Sequence, residues 1–127
     1  MTESRIFLMM GAILGGLAVA SGAFASHALS EKLTERAIEI FETAARYQMY
    51  HALALLAVGL WLSRVDEGRS LLVTAGVAYL IGILLFSGSL YALSLSGIKG
   101  LGAVTPLGGV AFLVGWGCLA IAALSFK

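Results

Sequence analysis

The residues most able to do chemistry in this chain are few, and they cluster. His27 closes one long apolar run, while Tyr47, Gln48, Tyr50 and His51 open another. Tyr47 and His51 are four apart, so on a helix they share a face, and Ser87 and Tyr91 repeat that spacing further along. A loop between the first two runs puts His27 and His51 toward the same side of a bundle. A later helix running the other way carries Ser87 and Tyr91 to similar depth. The expectation is a layer of His27, Tyr47, Gln48, His51, Ser87 and Tyr91 inside a helical bundle. Three chemistries suit such a layer. Its groups can hydrogen-bond between helices and fix their register. They can receive a lipid headgroup, a quinone or a small solute. Two imidazoles on neighbouring helices can also clamp haem iron, although a chain with only two histidines and no repeated histidine spacing implies no metal and no cofactor.

Other reactive types read as structural. Cys118 is the lone cysteine, mid-run in an apolar helix, and reads as a small packing residue. Glu39 and Glu42 belong to a charged helix face rather than an acid pair. The glycines between Gly97 and Gly102 lack the spacing and the Lys-Ser/Thr ending of a phosphate loop. No catalytic residue is assigned, and the chain is read as non-enzymatic.

The elements that must hold the layer follow from where charge is absent. Of 127 residues 60% are apolar and 12% charged, about half the usual charged share, which excludes an ordinary soluble domain. Eight Lys and Arg against seven Asp and Glu leave no basic face for nucleic acid. Charges concentrate in 31–46 and 64–69, leaving uncharged runs at 6–30, 47–63, 70–98 and 100–126. About 20 helical residues cross a hydrocarbon core. The fold class expected is therefore an all-α, integral membrane four-helix bundle in one domain, with crossings near 6–28, 47–63, 71–95 and 106–126. The second run is short alone, but an amphipathic segment precedes it. Glu31, Glu35, Glu39, Glu42 and Arg46 recur every three or four residues, with Ser30 as N-cap. That segment, 31–46, either lies in the headgroup plane or runs unbroken into the second crossing; the lack of Gly or Pro from 31 to 58 favours the latter. Glu42 and Arg46 have the spacing of a helical ion pair.

Ala23-Phe24-Ala25 imitates a signal-peptide cleavage site, but Glu3 stands against Arg5 in the polar head and the apolar run is too long. The segment is read as a retained first helix. Arg64 to Arg69 form a polar turn, the glycines after Ser96 a flexible one, and Thr105-Pro106 supplies an N-cap and first helical residue. Small residues for helix contacts occur as Gly11-x-x-x-Gly15, Gly22-x-x-x-Ser26 and Ala78-x-x-x-Gly82, and as Gly108, Gly109, Gly115 and Gly117. Trp61 and Trp116 read as interface anchors, Trp116 being deep for that role. Four crossings place both termini with the 64–69 turn, and basic residues divide four against four, Arg46 lying near membrane depth. The expectation is both termini cytoplasmic, with the bilayer as partner and other membrane proteins or a second copy as candidates.

The chain also resembles a known family. Gly22-Ala23-Phe24-Ala25-Ser26-His27-Ala28-Leu29, the stretch from Phe41 to Ala54 with Arg46-Tyr47-Gln48-Met49-Tyr50-His51, then Phe86-Ser87-Gly88-Ser89-Leu90-Tyr91, Thr105-Pro106-Leu107-Gly108-Gly109 and Gly115-Trp116 resemble the small membrane proteins of domain of unknown function 423. The family pattern has Gly in place of Ala25 and Ala in place of Ser26, all small. The resemblance implies a bacterial inner-membrane protein of about four helices, with relatives in mitochondria, and implies no established activity, cofactor or substrate.

Overall fold

Apolar runs without breakers become long helices, and the breakers set their ends. The computed structural model describes residues 2–126, and among these the regular structure is entirely helical. Helix α1 (Thr2–Phe24) winds on through a π turn, Ala25–Leu29. Helix α2 spans Glu35–Leu62 without a break. Helix α3 (Arg69–Gly82) continues through a second π turn, Ile83–Ser87, into α4 (Gly88–Ser96). A short 3-10 turn, Lys99–Ala103, leads to α5 (Thr105–Ala123). Three of these rods are long and apolar enough to cross a membrane: Thr2–Leu29, Arg69–Ser96 and Lys99–Ala123. Lys127, counted above among the basic residues, lies outside the described residues.

Two caps differ from expectation. The cap of α2 is Thr34, whose Oγ1 accepts from the Ala37 amide at 3.1 Å, rather than Ser30. Ser30 closes the first π turn, and Leu29 carbonyl takes the Lys32 and Leu33 amides, so the new helix starts one turn later. Thr105 does not cap α5 either; Val104 precedes the helix, and the Thr105 hydroxyl pairs with that of Ser89 at 2.6 Å. Pro106 keeps its place in the first turn. Gly97 ends α4 at φ 73° and Gly68 precedes α3 at φ 70°, left-handed conformations that glycine adopts without steric cost. Arg69 fastens the 64–68 turn through Nη1, donating to the carbonyls of Leu62 and Val65, and pairs with Glu3 at 3.7 Å.

Helix α1 packs chiefly on α2 and α5 chiefly on α3, with α2 and the α3–α4 rod between them. The centre is filled by Leu55, Val58, Leu62, Leu72, Ala75 and Tyr79. Lipid tails are as apolar as leucine, so close approach of backbones must supply the attraction. Glycines mark where it happens. A Cβ on Gly11 would stand 2.9 Å from the Ala52 carbonyl oxygen, and one on Gly59 2.8 Å from Leu8 Cγ. A Cβ on Gly76 would run into the Phe7 ring, on Gly82 into Phe112, on Gly115 into Tyr79, and on Gly108 into the Phe86 backbone. Gly15 has ordinary room, 3.8 Å from the Ala52 methyl. Gly22 and Gly109 have no neighbour within 4 Å of such a Cβ, so packing makes no demand for glycine there.

Candidate functional site: a polar layer at mid-depth

The antiparallel seam of α1 and α2 sets the depth of every polar group. Ser4 Oγ donates to the Gly59 carbonyl at 2.8 Å near one end, and Phe41 packs on Ala25 and Leu29 near the other. Between them Gln48 reaches Leu14, close to the middle of the Thr2–Leu29 rod. Gln48 is buried, and both ends of its amide are engaged. Nε2 donates to the Leu14 carbonyl at 2.8 Å, and Oε1 accepts from the Tyr91 hydroxyl at 2.7 Å. One side chain of α2 thereby joins α1 to α4. Ser87, fully buried in the second π turn, donates to the Ala44 carbonyl at 2.7 Å and ties the α3–α4 rod to α2.

His51, one turn on from Gln48 along α2, is 4% exposed. Its ring lies flat on Phe112, centroids 3.5 Å apart and planes within 5°, with Tyr79 and Trp116 around it at 5.4 and 5.8 Å. The Trp116 indole N–H, which can only donate, points at His51 Nε2 at 3.0 Å. Nε2 must therefore accept and carry no proton. The neutral ring holds its proton on Nδ1, which donates to the Tyr47 carbonyl at 2.7 Å. Both nitrogens are spoken for within the fold.

The six residues named from sequence are not all brought together. Gln48 with Tyr91, Ser87 with Ala44, and His51 with Trp116 are three bridges spread over about two turns of α2, from Ala44 to His51. Tyr47 contributes its carbonyl to His51 and its ring to Phe86, centroids 4.7 Å apart, while its side chain stays exposed. His27 is elsewhere. It is exposed on the first π turn, next to Ser26, and Ser26 lines a groove with Glu42, nine residues before His51. At 1.5 Å per residue that separates the histidines by about 13 Å along the bundle axis. The expectation that they share a level fails because the π turn and the 30–34 turn carry His27 past the end of the layer.

Several partners could not be named from sequence. Trp116 was legible only as a tryptophan too deep for an interface anchor. Phe112 and Tyr79 read as ordinary apolar positions. The carbonyls of Leu14, Ala44 and Tyr47 leave no trace in residue type. Ser89 and Thr105 form a fourth bridge, α4 to α5, which motif spacing does not predict. The Glu42–Arg46 pair is not made: Arg46 Nη2 instead bonds to Thr43 Oγ1 at 3.2 Å. Among the described residues no three His, Cys, Asp or Glu side chains are grouped to hold a metal ion.

Comparison with known proteins places this arrangement in a family. The model for a protein of unknown function, DUF423, matches residues 21–109, which contain the π turns, the cap of α2 and most of the layer. A UPF0382 membrane protein of Staphylococcus epidermidis is 45% identical over 123 residues, 96% of this chain and 98% of that protein. The UPF0382 membrane protein YwdK of Bacillus subtilis is 43% identical over 122 residues, with 96% and 98% covered. One from Haemophilus influenzae is 43% identical over 121 residues, covering 95% and 94%. No solved structure matches the chain. The near-complete coverage, the helical architecture and its three membrane-length rods agree, and the chain belongs to the DUF423 family of membrane proteins.

Proposed function

We propose that this protein is a non-enzymatic, accessory or structural component of the bacterial inner membrane, a single unit of four crossings whose polar layer fastens the helices together. The observation that carries this reading is the hydrogen bonding of the layer. Gln48, Ser87, Tyr91 and both nitrogens of His51 each have a partner within the protein, so these groups are bonded inside the fold; the buried Tyr79 hydroxyl beside His51 is the exception among the described residues. Such bonds average about 0.6 kcal/mol each in membrane proteins, with a maximum near 1.7.

In this reading α2 is the fourth crossing. Its 28 residues rise about 42 Å, and its antiparallel register with α1 keeps it level with a rod of membrane length. The amphipathic part is the continuation of that crossing toward its Thr34 end, with Glu35 and Glu39 emerging into water. Both termini then lie on the side of the 64–69 turn, and we assign that side to the cytoplasm. Cysteines placed at Arg5, Glu35 and Asp66 in a Cys118→Ala background test this. Arg5 and Asp66 positions label from the cytoplasm and Glu35 from the outside; labelling of Glu35 and Asp66 from the same side removes the fourth crossing.

A binding role for the layer is the rival. Native mass spectrometry of protein released from membranes separates the two. The structural reading expects no reproducible adduct that His51→Ala abolishes in a folded protein; such an adduct would replace it with a ligand site.

A further inference from the structure

We propose that the groove between α1 and α2 at Glu42 and Arg46 binds the headgroup of a zwitterionic phospholipid carrying a primary ammonium, as in phosphatidylethanolamine. The site stands apart from the polar layer but rests on the reading of α2 as a crossing, which the cysteine labelling above tests separately. The groove is open along one side and offers about 320 Å³. Ala18, Gly22 and Ser26 line it on the first rod, and Glu42, Arg46 and Met49 face them from α2. The small residues leave open space, since nothing stands within 4 Å of a Cβ on Gly22.

The charges are what this space has to answer. Arg46 lies two residues and Glu42 six residues from Gln48, about 3 and 9 Å along the axis toward the Thr34 end. Side chains lean toward the N-terminus of their helix, so both reach toward that same end. Arg46 follows this lean to Thr43 Oγ1 and has no carboxylate partner among the described residues. Glu42, only partly exposed, has neither an ion pair nor a hydrogen bond there. By contrast Arg36 and Glu39, one turn further out and largely exposed, do pair. Uncompensated charge at membrane depth is costly and marks a functional position by default.

The order of the charges selects the occupant. The cation is deeper and the anion nearer the surface. A phosphoethanolamine headgroup has the opposite order, phosphate next to the acyl chains and ammonium outermost. Its phosphate can take the Arg46 guanidinium as a forked donor, while its ammonium donates to Glu42 and an acyl chain lies along Ala18 and Gly22. An anionic headgroup without an amine leaves Glu42 unanswered. A second copy fits worse. Copies inserted with one orientation are related by an axis along the membrane normal, which sets Arg46 level with Arg46 and Glu42 level with Glu42.

Native mass spectrometry of delipidated protein titrated with phosphatidylethanolamine, phosphatidylcholine and phosphatidylglycerol of matched chains tests this. One phosphatidylethanolamine is expected to stay bound at collision energies that strip the other two. Arg46→Gln and Glu42→Gln should each cut its occupancy at least five-fold. Gly22→Leu, which fills the groove without touching a charge, should do the same while the melting temperature holds. Equal retention of the three lipids, of phosphatidylcholine alone with phosphatidylethanolamine, or unchanged occupancy in Gly22→Leu overturns the site. A dimer mass lost on Glu42→Gln also overturns it and gives the face to a second copy.

Discussion

Helix α2 carries two polar regions within a few turns of each other, and they are built on opposite plans. At Gln48 and His51 polar atoms are buried and paired, by Leu14, Tyr91, Tyr47 and Trp116. At Glu42 and Arg46 charges face a groove and do not pair with one another. The glycines follow the same division. Gly82 lies under Phe112, the ring on which His51 is stacked, and has no room for a Cβ, whereas Gly22 in the groove has nothing against it. A membrane helix must satisfy polar groups internally or leave them to something outside the fold. The first region does the former and reads as fastening; the second does the latter and reads as a place for a ligand.

Substitutions at matched positions sharpen that contrast. The largest effect is expected from Gly82→Leu, which drives Phe112 off His51. Overpacking of this kind costs about 1–3 kcal/mol or more, and the protein should lose its single sharp peak in size-exclusion chromatography. Gly22→Leu should leave that peak unchanged. Next comes His51→Ala, which removes a stacked ring and strands the Trp116 N–H. A destabilisation of about 2–4 kcal/mol is expected from the cavity and the unpaired donor, seen as a lower melting temperature and a shifted Trp116 emission. His27→Ala, exposed on its π turn, should change neither. The smallest effects belong to the groove. Glu42→Gln and Arg46→Gln should stay within about 0.5 kcal/mol of the parent in detergent, and a cost as large as that of His51→Ala would erase the distinction between the regions.

The sequence made some of this plain and hid the rest for identifiable reasons. Gaps between charges located the helices, because charge is excluded from long apolar runs whatever the packing. The absence of Gly and Pro from 31 to 58 foretold the continuity of α2, and Tyr47, Gln48, His51, Ser87 and Tyr91 stood out as polar residues in apolar surroundings. Register did not follow. Periodicity says which residues share a face, but a slip of one turn along a neighbour costs nothing that composition records. His27 was therefore grouped with His51, although a π turn carries it away. Caps failed for a related reason. Ser30 and Thr105 have the right type, yet the first closes the preceding π turn and Ser89 recruits the second. Gly59 and Gly76 looked like any of the 16 glycines until Leu8 and Phe7 were seen against them.

That α2 is fastened to its neighbouring helices by its own polar partners is tested most directly by a double-mutant cycle at the Gln48–Tyr91 bond. Unfolding free energies would be measured in bicelles for Gln48→Leu, Tyr91→Phe and the pair. A hydrogen bond that fastens α2 to α4 predicts a favourable coupling of about 0.6–1.7 kcal/mol. Strictly additive losses would contradict it.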